Sequence, residues 1–159
     1  MSQGKKAIWG LLIFAAAVFP AKSAQISCEE SVKQANRMLI ANNGIPVRNE
    51  RKLAMMLQDL NQSNNLPAEY VTTEQAKKQG WSGNPRDSLW KVWSLNKKSI
   101  GGDRWEGEPL PGAQQWFVAD LEVVRGLRSD KQLIYSPESS TRYLVTGRNT
   151  APVALEACY

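Results

Sequence analysis

Between residues 116 and 123 apolar and polar positions alternate with period two: Phe117, Ala119, Leu121 and Val123 fall on one side, and Trp116, Val118, Asp120 and Glu122 on the other. That period predicts a strand with its first set in a core and its second set on an outward face. Gly126 permits a tight turn that returns Arg128 to the same outer face. Upstream the period changes. Ser27 and Glu30 form a capping box, followed by Val32, Ala35, Met38 and Leu39 at helical spacing, and Asn42-Asn43-Gly44 with Pro46 just beyond should end that helix. A second helix is predicted from Asn49, with Leu53, Met56, Leu57 and Leu60 as its buried stripe and the Met55/Met56 pair as core filler. The polar stretch 61–65 should break it.

Thr72 and Gln75 cap a third, short helix that Gly80 ends, and Asp87 is placed to cap a brief one carrying Leu89, Trp90, Val92 and Trp93. Trp81, Trp90 and Trp93 read as packing residues. Residues 99–105 form a strand with a backbone irregularity at Gly101-Gly102, and 106–112 form a Pro/Gly loop. Strands at 131–136 and 142–146 follow, then a short one at 153–156. Helices first and antiparallel strands afterwards, with short connections, argue for an α+β domain and against a doubly wound α/β one.

Charge changes the picture less than it first suggests. The 159-residue chain carries a formal net charge of +5. However, Lys5 and Lys6 precede the apolar run 7–19, and Ala21-Lys22-Ser23 offers small residues to a signal peptidase, so residues 1–24 read as an export leader. The run is shorter than the roughly 20 residues a membrane span needs. Removing Lys5, Lys6 and Lys22 with the leader, and no acidic residue, lowers the formal charge to +2. Basicity alone therefore does not argue for nucleic acid. Cys28 and Cys158 stand at the two ends of the exported chain and are expected to close into a structural disulfide. The chain has no His, and two distant cysteines do not make a metal site; no metal or cofactor is implied.

Several short stretches then stand in one order: Leu66-Pro67 with Tyr70, Gly80-Trp81, Lys98-Ser99-Ile100-Gly101-Gly102-Asp103, Leu110-Pro111-Gly112, Trp116 with Ala119-Asp120, Gly126-Leu127-Arg128, and Leu133-Ile134-Tyr135-Ser136. On these residues the segment from Leu66 to about Ser136, and more loosely to the C-terminus, resembles the small secreted microbial ribonucleases of the barnase and T1-like superfamily. The resemblance implies N-terminal helices packed on a C-terminal antiparallel sheet, with residues 25–65 as an additional helical segment and 66–159 as the ribonuclease-like domain. It also implies single-stranded RNA as substrate, cut usually after guanine to a 2′,3′-cyclic phosphate, in a monomer. Active members come with a protein inhibitor.

That chemistry needs a base for the 2′-hydroxyl, an acid for the leaving oxygen and fixed cations around the phosphorane. Carried over residue by residue, the family's base falls on Val118, its acid on Asn149, its second Arg on Gln132 and the Lys at the start of the capped helix on Thr73. Arg128 survives, as does Asp120, which braces it in the family. Glu106 remains of the guanine loop. Removing one member of an acid–base set costs roughly 10² to 10⁴ in rate, so standard catalysis is expected to be impaired or lost. RNA or a nucleotide would be engaged by Arg128 and Glu106, with stacking on Trp105 and Trp116 and charge from Lys131 and Arg148. One alternative is an active ribonuclease with a re-routed acid–base set drawing on Asp120 and Glu122. Another is a protein-binding patch of Trp105, Trp116 and Val118.

Overall fold

The chain is seen in a computed structural model that describes residues 4, 10–16 and 25–159. The expected leader falls largely outside them, including Lys5, Lys6 and the cleavage-site residues 21–23. Ser27 opens the first helix, α1 (Cys28–Ala41), by accepting a hydrogen bond from the Glu30 backbone N–H. Only half of the predicted capping box forms, because the Glu30 carboxylate pairs with Arg37 at 2.8 Å instead. Asn42 ends α1, and Asn43 takes the left-handed conformation that closes it. The second helix, α2 (Glu50–Ser63), begins at Asn49 as expected and buries Leu53, Met56, Leu57 and Leu60. It runs into the stretch read as a polar break, to a left-handed cap at Asn64. Met55 departs from its expected role: one position from Met56 on a 100° turn, it faces solvent.

Thr72 and Gln75 do form a reciprocal capping box on α3 (Thr73–Lys78). The next segment is two single 3₁₀ turns, Leu89–Lys91 and Trp93–Leu95, and the first is capped by Ser88, not Asp87. The Asp87 carboxylate is held by Ser82 and Lys91. Trp93 is 93% exposed, which overturns its expected packing role, while Trp81 is buried.

The sheet has the strand order β1 (Tyr70–Val71), β2 (Ser99–Arg104), β3 (Phe117–Asp120), β4 (Lys131–Ser136), β5 (Ser139–Thr146) and β6 (Val153–Leu155). The short β1 pairs parallel to β2, and every later neighbour is antiparallel. The irregularity expected at the glycine pair is a register shift between Gly101 and Asp103. The fold is thus α+β, helices followed by a mostly antiparallel sheet.

Alternation along the strands gives each sheet face its own apolar layer. Ala119, Leu121, Leu133 and Leu144 join Val32, Leu39, Leu57 and Leu60 in the main core between sheet and helices. Trp116, Val118, Ile134 and Val145 form a second cluster on the opposite face, overlaid by Trp105, Leu110 and Tyr143. Cys28 and Cys158 are joined in a disulfide across 130 positions, beside a parallel bridge between Ile26 and Cys158. Among the described residues no helix is long and apolar enough to cross a membrane.

Candidate functional site

Strand β3 positions the site, and it stops earlier than its alternation suggests. The period holds through Asp120, after which Glu122 adopts φ 51° and the chain leaves the sheet. Glu122 therefore does not share the outer face with Val118. Its carboxylate accepts hydrogen bonds from the backbone N–H groups of Arg48 (2.6 Å) and Asn49 (2.9 Å) and pairs with Lys131 at 2.7 Å. Burial opposes its ionisation, but the bonds from Lys131, Asn49 and Arg48 prevail and hold it below the ordinary carboxylate value. Lys131 is committed to this anchor, which explains why neither residue is free for chemistry.

Asp120, 1% exposed, organises the turn that follows. It accepts from Arg128 Nε (2.6 Å) and Nη2 (3.3 Å), from the Ser129 N–H (3.3 Å) and from Gln132 Nε2 (2.9 Å). Gly126, at φ 74°, supplies the reversal that brings Arg128 back, as its position predicted. Burial alone would weaken the Arg128 guanidinium as a cation; the hydrogen bond and charge of Asp120, with the charge of Asp103, outweigh it and raise its pKa. Thr73 is spent in a similar way, donating its N–H and hydroxyl to the Asp103 carboxylate.

A groove of about 570 Å³ opens next to this network. The loop after β2 contributes Trp105 and Glu108, the start of β4 contributes Ser129, Asp130 and Gln132, and the turn after β5 contributes Arg148 and Asn149. Asn149, at φ 62°, sits in a turn pinned by the Gly147 N–H donating to the Asp130 carbonyl. Arg148 is 89% exposed and lies 3.8 Å from the Asp130 carboxylate. The Trp105 indole N–H donates to the Glu108 carbonyl at 2.9 Å, fixing the ring at the groove wall.

The expected grouping is therefore realised in part. Trp105, Gln132, Arg148 and Asn149 meet in one groove; Arg128, Glu106 and Trp116 do not line it. Arg128 reaches it only through Asp120, which also holds Gln132. Glu106 is exposed outside it, and Glu108 takes the lining position because the loop turns between them at Gly107. Val118 is 8% exposed and Trp116 7%, both in the apolar cluster under the groove rather than on a binding surface. Trp116 packs edge-on against Tyr143 with ring centroids 5.4 Å apart. Trp105 and the little-exposed Trp116 instead line a separate hollow of about 310 Å³ with Leu110, and Val118 does not reach it, so the three do not form the expected patch together. The cause is chemical: a valine on an outward face recruits apolar neighbours, and Trp105, Leu110 and Tyr143 roof it over. Glu108 and Asp130 were missed because they lie in loops, where no period marks a facing side.

Chemically the groove offers a guanidinium, an indole ring, two side-chain amides and two carboxylates. With no His anywhere in the sequence, no side chain in it has an ordinary pKa near neutrality. Compared with known proteins, the chain matches no family model and no curated relative.

Proposed function

We propose that this is a secreted, barnase-like member of the microbial ribonuclease superfamily that binds single-stranded RNA or a nucleotide in the groove beside β4 without the family's standard cleavage chemistry. The observation that carries the reading is the convergence of Trp105, Gln132, Arg148 and Asn149 on one groove. An indole ring stacks on any base, Arg148 meets a phosphate, and the amides of Gln132 and Asn149 can serve base edges as both donors and acceptors. The positions that the resemblance assigns to base and acid hold a buried valine and an exposed amide, neither of which moves a proton at neutral pH. The ends-joining disulfide fits an oxidising compartment.

Titrating labelled single-stranded RNA with the oxidised protein tests this. The expected result is salt-sensitive binding without cleavage, weakened by Arg148→Ala with a salt slope shallower by about one charge. Binding that ignores salt and Arg148, or robust turnover of RNA by the unaltered chain, would overturn the reading. Turnover would point instead to Glu108 and Asp130, the two carboxylates in the groove, as a re-routed set.

A further inference from the structure

A second cavity, of about 340 Å³, lies between α2, β1 and the segment that leaves β3. It is separate from the groove above and shares no lining residue with it. Its floor is apolar, formed by Val47, Leu53, Met56 and Leu121, all buried. One wall is the Trp90 ring. That ring is fixed: its N–H donates to the Lys98 carbonyl at 3.0 Å, and it packs so closely over Gly126 that a Cβ there would come within 2.7 Å of it.

The remaining walls are equally preset. Tyr70 donates its hydroxyl to the Asp120 carbonyl at 2.7 Å, and burial, then the nearby Glu69 and Asp120 charges, keep that hydroxyl protonated well beyond its ordinary value. Glu122 clamps the Arg48–Asn49 backbone at the edge. A cavity of this size at the lower end of the usual ligand range, with an apolar floor and a mouth edged by polar and charged side chains, is built like a small-molecule site.

The charges at the mouth select the ligand. Asp120 is neutralised by Arg128 and Glu122 by Lys131. Glu69 faces Lys52 only loosely, at 3.8 Å. Lys97 lines the mouth and has no ion-pair partner among the described residues. The uncommitted charge is therefore positive. We propose that this cavity binds a small organic acid, its apolar ring or short chain against Leu53, Met56, Leu121 and Trp90 and its carboxylate at Lys97. Such a site gives the N-terminal helical segment a function, since α2 supplies half the floor.

The probe is 2-naphthoate, titrated into the full oxidised protein by calorimetry while the Met56 methyl resonance is followed by NMR. The expected result is one-to-one binding that shifts the Met56 signal, roughly fivefold weaker in Lys97→Gln and lost in Val123→Trp, which plugs the mouth from a half-buried position. Naphthalene-2-carboxamide should bind more weakly than the acid. Thermal unfolding checks that both variants are folded; Lys97 is exposed and Val123 only half-buried. No binding at millimolar probe, equal binding of acid and amide, or binding unaffected by both substitutions would overturn the proposal. The RNA titration above reads a different groove, so either result can fail without the other.

Discussion

Val118 and Asp120 stand two residues apart on one strand face and are both buried, yet they are stabilised by opposite means. Asp120 keeps its charge because Arg128, the Ser129 N–H and Gln132 surround the carboxylate. Val118 packs in the apolar cluster of Trp116, Ile134 and Val145 and has no hydrogen-bonding function of its own to satisfy. Introducing a carboxylate with Val118→Glu should therefore not give the groove a working general base. The variant is expected to lose about 3 kcal/mol or more of stability at neutral pH, the cost of an unpaired buried charge. Burial would raise the new carboxyl's pKa above its unfolded value of about 4.3, so the penalty is absent in acid and grows as pH rises through that value. Denaturant unfolding from pH 4 to 8 reads this directly; a penalty that does not change with pH would mean that the roof over Val118 opens to water. Asp120→Asn should cost about 2 kcal/mol or more, because the half-buried Arg128 is left without its counter-charge, and the same unfolding experiment measures it. Both effects follow from what touches each side chain, which the alternation at 116–121 does not encode. The alternation told which residues share a face, but not whether that face is wet.

At the scale of elements, the periodic parts were readable and the aperiodic ones were not. The capping box at Thr72–Gln75 and the bulge at Gly101–Gly102 are local consequences of spacing and backbone freedom, as are most of the stripes of α1 and α2; Met38, expected in the α1 stripe, is instead 50% exposed, because Val32, Ala35 and Leu39 already fill the face turned to the sheet. The two-residue β1 has no room for a period, and the choice of Ser88 over Asp87 as a cap depends on Ser82 and Lys91 competing for the carboxylate. The early end of β3 is the clearest case. Glu122 continues the alternation, yet the two backbone N–H groups before α2 and the Lys131 ammonium draw it out of the sheet. That anchor is a pH-dependent fastening between the helical segment and the sheet. A carboxyl held below its ordinary value of 4.5 contributes stability that is complete above that value and lost as pH falls through the lower folded-state value. Hydrogen-exchange protection of the Arg48 and Asn49 amides should thus fall selectively in Glu122→Gln, and in the unaltered protein only in acid. Unchanged protection in the variant would mean that packing of Val47 and Leu53, not the carboxylate, holds the segment.

For the molecule as a whole, the sheet is covered unequally: α1 and α2 pack on one face through the main core, α3 and the 3₁₀ turns pack on Ile100 of β2, and the cluster around Val118 is covered by Trp105, Leu110 and Tyr143. The helices are joined to the sheet by the main core, by the Glu122 anchor, and by covalent closure of Cys28 at the start of α1 onto Cys158 beyond β6. The hydrogen bonds at that closure run in both directions, Cys28 N–H to the Tyr159 carbonyl and Tyr159 N–H to the Ile26 carbonyl. The bond therefore joins two ends that already meet, and its stabilisation acts mainly on the unfolded chain. For a loop of 130 positions the chain-entropy model gives about 5 kcal/mol. Replacing both cysteines by alanine should lower the equilibrium unfolding free energy by about that amount. Folded-state exchange should rise first in the initial turn of α1 and in β6, which lose their tether, and least in β3 and β4 at the middle of the sheet. If the double variant loses under 1 kcal/mol, the ends are held by packing and hydrogen bonds alone, and the unfolded chain must already keep them close. If protection falls evenly across all six strands, the closure holds up the entire sheet, and the separation of helical segment from sheet at Glu122 is not the weakest joint.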